Sequence, residues 1–385
     1  MTISLQKDLL CFSHLRWDFV FQRPQHLMTR FAGITNVYFL EEPLFDCSDE
    51  PYLQMEEKHG GLWVCVPHLP VGSTPEDTLA MVRKILDAFF EQRDCSNFIF
   101  WYYTPMALQF SEPFTPAMIV YDCMDELSAF NFAPPRIRQY EQRLLEMADI
   151  VFTGGASLYE AKKARHHNIH PFPSSIDKAH FLAARKLLTE PQDQASIAGI
   201  KLGFYGVIDE RFDQELIREI AARRPDWQII LIGPIVKIDP AALPQADNIH
   251  YLGTKSYQVL PAYLSGWNVA LIPFLLNEST QFISPTKTPE YLAAGKPVVS
   301  SAIRDVVSPY HETGLVSIGD DAESFITAID RELAHSTDSK WLYAVDAFLS
   351  DKSWEHTFSA MVKLMLKTQQ RERPVVLVSG LKKAS

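Results

Sequence analysis

Short apolar runs recur along this chain with amphipathic stretches between them, and that alternation is the pattern of βαβ units wound around a parallel sheet. In the first half the runs are Asp8–Ser13, Asn36–Leu40, Leu62–Val66, Phe98–Trp101, Met118–Tyr121, Ile150–Thr153 and Ile169–Phe172. Helices are predicted at Arg23–Phe31, Pro75–Glu91, Pro134–Met147 and Ser157–Arg165. A second series runs through Lys201–Tyr205, Gln228–Ile232, Asn248–Tyr251, Val269–Ile272, Pro297–Ser300 and Leu315–Ser317, with helices at Asp213–Arg223, Ser256–Ser265 and Thr288–Ala294. Between the two series, Asp177–Gly199 is polar in its middle, holds Pro191 and has no periodicity, so the domain boundary is placed there. The expected fold is α/β: two Rossmann-like parallel-sheet domains, residues 1–185 and 186–352, followed by a helix and tail over 353–385. A short β-type run at Pro374–Ser379 ends the chain.

Composition excludes several classes. With 385 residues, 47% of them hydrophobic and 22% charged, the chain can bury two cores. Lys and Arg number 36 against 47 Asp and Glu, a net charge of −11, which argues against a nucleic-acid partner. Five scattered cysteines, odd in number and without a CxxC pair, disfavour a disulfide framework and a zinc site. His166, His167 and His170 form the one histidine cluster, without i,i+4 spacing, so no metal site is predicted. The first residues lack a charged segment leading into a long apolar one, and no run of about 18 apolar residues occurs. A cytoplasmic protein is expected, with peripheral contact at the inner membrane face left open.

The chemistry concentrates in three stretches. In Ile283–Ser301, polar residues lead into a short helix that ends at Gly295 and is followed by a buried strand. A loop entering a helix presents free N–H groups suited to phosphate, and Thr286, Lys287 and Thr288 add donors. Glu290 either accepts hydrogen bonds from a ribose diol or simply complements the dipole. Near the N-terminus, Cys11–Met28 places His14, Arg16, Trp17, Arg23 and Gln25 at the carboxyl end of the first strand, where ligands bind in open α/β sheets. Trp17, Phe19 and Phe21 also alternate as a half-buried strand would. After the strand Met118–Tyr121, Asp122, Asp125 and Glu126 cluster at another carboxyl end, where either aspartate alternatively serves as a helix N-cap.

The run Pro289-Glu-Tyr-Leu-Ala-Ala-Gly-Lys-Pro-Val-Val, preceded by the strand Trp267–Phe274, resembles the nucleotide-sugar-binding core of GT-B glycosyltransferases, in particular the GT4-like retaining group. In that family a glutamate at the position of Glu290 holds the ribose. A second glutamate usually stands eight residues earlier, where this chain has Phe282, with Asn277 and Glu278 nearby as substitutes. Leu202-Gly-Phe-Tyr-Gly-Val-Ile-Asp-Glu-Arg resembles the first strand and loop of the family's second domain. There Gly206 lets the donor approach the backbone and Arg211 meets its diphosphate, unless Arg211 is a solvated charge beside Asp209 and Asp213. Leu231-Ile-Gly-Pro matches the second strand, with Gly233 facing the nucleobase, and Arg23-Pro-Gln-His resembles a bacterial polysaccharide-assembly subgroup. Ser353-Trp-Glu-His-Thr-Phe resembles the start of the helix that crosses back onto the first domain. The likeness covers nearly the whole chain, most densely Leu202–Ser301 and the opening segment, most thinly Asp46–Asn97.

The resemblance implies transfer of a hexosyl group from a nucleoside diphosphate sugar, UDP favoured, to a saccharide or lipid-linked acceptor in polysaccharide or glycolipid synthesis, with retention. No cofactor or metal is implied, since the helix dipole and basic side chains would carry the leaving diphosphate. Gly206, Arg211, Gly233, Thr286, Lys287 and Glu290 are the expected donor residues. Asp122 is the first and Asp125 the second candidate for catalysis. His14, Arg16, Trp17, Arg23 and Gln25 are expected at the acceptor, with rings gathered at Phe12–Phe21 and Trp101-Tyr-Tyr on the crevice edge. The rival readings are a nucleotide-sugar epimerase of the same fold and a non-catalytic nucleotide-sugar-binding protein.

Overall fold

The computed structural model describes residues 5–370 apart from 132, 187 and 336–338; the run Pro374–Ser379 lies outside them. The first sheet comprises β1 (Asp8–Phe12), β2 (Val37–Leu40), β3 (Leu44–Cys47), β4 (Tyr52–His59), β5 (Leu62–Pro70), β6 (Phe98–Tyr102), β7 (Met118–Cys123), β8 (Ile150–Thr153) and β9 (Ile169–Pro171). Its order is β3-β5-β2-β1-β6-β7-β8-β9, parallel throughout, with β4 antiparallel on β5. The second sheet comprises β10 (Ile200–Tyr205), β11 (Trp227–Ile232), β12 (Ile249–Gly253), β13 (Val269–Ile272), β14 (Val298–Ser300) and β15 (Ser317–Ile318), in the parallel order β12-β11-β10-β13-β14-β15.

Helices cover both faces of the first sheet, so its central strands read as unbroken apolar runs whose side chains alternate between two layers. Leu9, Cys11, Ile99 and Trp101 enter one core, while Leu10, Phe12, Phe98, Phe100 and Tyr102 enter the other. The strands β3 and β4 have no counterpart in the sequence reading. In β4 mostly exposed positions carry Glu56, Glu57 and Lys58, as befits a solvated antiparallel edge.

The chain joins the second core as early as Ile176, Phe181 and Ala184. It returns through the helix Trp354–Gln369, which buries Trp354, Met361, Val362 and Met365 against Leu27, Phe31 and Trp101 of the first domain. Three further contacts hold the domains face to face. The Asp305 carboxylate accepts from the backbone N–H of Ala156 and Ser157, both at 2.9 Å, capping a first-domain helix from the second domain. The Ser174 hydroxyl donates to the carbonyl of Ser284 at 2.9 Å, and the N–H of Asn131 donates to Glu210 at 2.8 Å. Among the described residues no helix is long and apolar enough to cross a membrane.

Candidate active site

The carboxyl ends of the two sheets face each other across a cleft of about 560 Å³. The second domain supplies most of its charge. β10 ends in Tyr205 and Gly206, and β11 ends in Ile232 and Gly233. Both glycines have positive φ, +145° and +143°. A Cβ on Gly233 would lie 1.9 Å from the Gly206 carbonyl oxygen, so the two strand ends meet backbone to backbone in the cleft floor, where the Gly206 N–H donates to the Ile232 carbonyl and the Gly233 N–H to that of Gly253.

Glu290 and Lys287 come from the short helix Lys287–Ala293 beside this floor. Burial lifts the Glu290 carboxyl to about 7, against the opposing pull of the Tyr205 hydroxyl and the Lys287 ammonium. Tyr205 Oη donates to Glu290 Oε2 at 2.5 Å, which fixes one oxygen of the carboxylate. Burial, with the Arg211 charge next, brings the Lys287 ammonium down to about 8. That ammonium lies 5.7 and 5.8 Å from the ring centroids of Phe204 and Phe274, and among the described residues no carboxylate is within ion-pair distance of it. Arg211 lines the cleft, clamped by Asp209 through Nε at 3.0 and 3.1 Å and through Nη2 at 2.6 Å. Its guanidinium stacks over Phe130 of the other domain, 5.3 Å from the centroid. Asp213, the other acidic neighbour, caps the helix Gln214–Arg223. Thr286 lies in the wall as well.

On the first-domain side the wall includes Trp17, Phe19, Phe21, Arg23, Met124 and Asp125. Burial raises the Asp125 carboxyl to about 6, with Arg211 the first of the charges that counter it. Residues between β1 and the helix Arg23–Ala32 form a loop rather than a strand. Phe21 packs on Tyr257 of the second domain with centroids 4.6 Å apart, and Trp17 turns its edge onto Phe39 at 5.1 Å.

Several expectations fail for identifiable reasons. Asp122 is fully buried and does not reach the cleft, because Arg23 holds it through three hydrogen bonds of 2.8 to 3.2 Å. Arg16 turns away to Glu41 at 2.9 Å and to the carbonyls of Glu42 and Pro43, so it braces the end of β2. Gln25 closes a capping box with Gln22 and donates to the Trp17 carbonyl at 2.8 Å, a helix-start role that leaves it buried. His14 lies outside the wall, and burial together with Lys237 lowers its imidazole to about 4. Trp101, Tyr102 and Tyr103 are core residues at 1% exposure or less rather than a crevice edge. Phe282 packs against the first-domain core, Asn277 folds back to cap Ser279 and Thr280, and Glu278 borders a separate cavity with Phe282, so none of the three reaches the cleft. The sequence reading missed Tyr205, which follows Gly203-Phe204 in a motif already singled out, because its partner Glu290 lies 85 residues away.

Residues 203–335 match the family model described as Glycosyl transferases group 1. A curated relative from Bacillus subtilis (strain 168), the glycosyltransferase TuaH, named for teichuronic acid biosynthesis, is 24% identical over 286 residues, 68% of this chain and 70% of that protein. Among solved structures, sucrose-phosphate synthase of Thermosynechococcus elongatus superposes with a TM-score of 0.66 at 15% identity, over 94% of this chain and 98% of that one. Anabaena Alr3699/HepE in complex with UDP and glucose gives 0.61 at 14% identity, over 93% and 99%. The two facing sheets and the superpositions give this chain the GT-B architecture, and its second domain is similar to the group 1 glycosyltransferases.

Proposed function

We propose that this enzyme transfers a sugar from a nucleoside diphosphate, UDP in the first instance, to a saccharide or lipid-linked acceptor in polysaccharide synthesis, with retention. The observation that carries this reading is the grouping of Glu290, Lys287 and Arg211 around the strand ends at Gly206 and Gly233, which carry no side chain, opposite Asp125 and the rings of the first domain. The relative named for teichuronic acid biosynthesis and the UDP and glucose held by a neighbour of like fold support the substrate class. The free oxygen of Glu290 accepts from the ribose, with Tyr205 holding its partner oxygen. Lys287 and Arg211 meet the diphosphate, Arg211 through the edge that Asp209 leaves open. Asp125, not Asp122, accepts the acceptor's proton or stabilises positive charge on the sugar: it lies in the wall, and a carboxyl near 6 is ionised at pH 7 yet still basic enough to take a proton. Trp17 and the exposed Phe19 and Phe21 offer flat faces for acceptor sugars. Closure of the cleft excludes the water that would hydrolyse the donor.

Glu290→Ala removes a charged hydrogen-bond acceptor and is expected to weaken UDP binding by roughly 1–3 kcal/mol, or roughly 5- to 150-fold. Calorimetric titration checks this, and an unchanged affinity removes Glu290 from the ribose site.

Donor binding should also be bell-shaped in pH. The ribose needs an ionised Glu290, whose raised value means that UDP affinity climbs as pH rises through about 7. The diphosphate needs a charged Lys287, whose lowered value means that affinity falls again above about 8, displaced upward to the extent that bound phosphate holds the proton. Calorimetry across this range that returned a flat profile would contradict both assignments.

A further inference from the structure

Arg23 is the basic side chain that the first domain brings to the cleft wall, and it is 2% exposed. A buried ion pair adds little to stability over apolar residues of the same volume, so the fold alone does not call for one here. The guanidinium has five N–H donors. Its Nε–H is shared between both oxygens of Asp122, at 3.2 and 3.0 Å, one Nη2–H goes to Oδ1 at 2.8 Å, and one Nη1–H goes to the carbonyl of Phe172 at 2.8 Å. Three of the five are thereby engaged, and one on each terminal nitrogen is left. The ends of two strands grip the group: Asp122 sits on β7, and Phe172 follows β9. A planar cation so held cannot swing to meet a ligand, but its remaining donors point in a fixed direction without further loss of side-chain entropy.

We propose that Arg23, held in register by Asp122, is a preorganised clamp for an anionic group, carboxylate or phosphate, carried by a saccharide substrate on the first-domain side of the cleft. Asp122 is then a positioning residue that acts through Arg23. The inference rests on the glycosyltransferase reading and narrows its substrates to saccharides that bear a negative charge. The diphosphate is not the group in question, since Lys287 and Arg211 face it from the opposite domain. Two sources share this chemistry, the transferred sugar and the acceptor.

Calorimetry on the full chain separates the two sources. One arm compares UDP-glucuronate with UDP-glucose. The other, on protein saturated with UDP, compares glucuronate and glucose 6-phosphate with glucose. The expected result is that at least one arm favours the anionic probe by about tenfold or more, which identifies the source. In Arg23→Gln that preference should shrink to within about twofold while UDP still binds, and in Arg23→Lys, which keeps the charge but loses the fork, part of it should persist. Asp122→Asn should lose preference as well, in proportion to how far Arg23 loosens. The absence of any preference in both wild-type arms overturns the inference, as does a preference that survives Arg23→Gln. If Arg23→Gln does not fold, the charge-conserving Arg23→Lys decides in its place, and an undiminished preference there overturns the inference. Protein that binds no UDP would instead bring down the donor reading, and this inference with it.

Discussion

Asp125→Asn is expected to lower turnover by roughly 10²- to 10⁴-fold, the usual worth of a positioned proton acceptor, while UDP affinity and thermal stability stay close to wild type. The amide keeps the size and hydrogen-bonding shape of the side chain but cannot take the acceptor's proton. Among the described residues the Asp125 carboxylate has no ion pair like the one that ties Asp122 to Arg23. Asp122→Asn gives the contrasting outcome. Removing the charge that faces a guanidinium at 2% exposure leaves that cation buried and unpaired, which costs about 3–5 kcal/mol. In a domain of this size such a loss lowers Tm by roughly 6–20 °C. Steady-state transfer assays and a thermal melt on the two variants separate the roles. Turnover within tenfold of wild type for Asp125→Asn would take the catalytic role away from it, and an unshifted melt for Asp122→Asn would show that the pair with Arg23 is not what holds the first-domain wall.

Gly233→Ala is expected to destabilise the second domain and abolish UDP binding together. The new methyl carbon would stand 1.9 Å from the carbonyl oxygen of Gly206 and 2.7 Å from its carbonyl carbon. Both are backbone atoms, so no side chain can swing aside. The residue would also have to hold a φ of +143°, which costs an L-residue of order 1–3 kcal/mol by itself, and forced overpacking adds a similar amount. A total of about 2–6 kcal/mol corresponds to a fall in Tm of several degrees or more. If the strands instead splay to relieve the clash, the floor proposed for the diphosphate is lost. Gly253→Ala is the control: φ is positive there as well, at +69°, but nothing lies within 4 Å of the added carbon, so its cost is limited to the backbone, roughly 1–2 kcal/mol. Equal effects from the two substitutions in melting and calorimetry would show that the close approach of β10 and β11 is not what shapes the donor floor.

The amino-acid sequence by itself determined the two sheets, thirteen of whose strands were legible as short apolar runs at or near their final bounds, and the residues that the second domain brings to the cleft. Both are encoded locally. A strand covered on two faces must be apolar along its whole length, and Gly206, Gly233, Lys287 and Glu290 stand at strand ends or helix starts that the pattern already marks. Strands β3 and β4 escaped because an exposed antiparallel edge needs no apolar run, only alternation diluted by charge.

Only the tertiary structure decided which of two neighbouring aspartates faces the cleft. Three residues along one turn separate Asp122 from Asp125, and nothing local distinguishes them. The choice is made by Arg23, 99 residues away in the chain, which arrives beside β7 because β1 and β7 flank β6 in the sheet. Arg16 and Gln25 were assigned to the acceptor on the same local grounds and were likewise claimed by distant or capping partners. A buried charge must find a partner or stay in water, and which partner it finds is set by strand order, a property of the folded sheet that no short window of sequence contains.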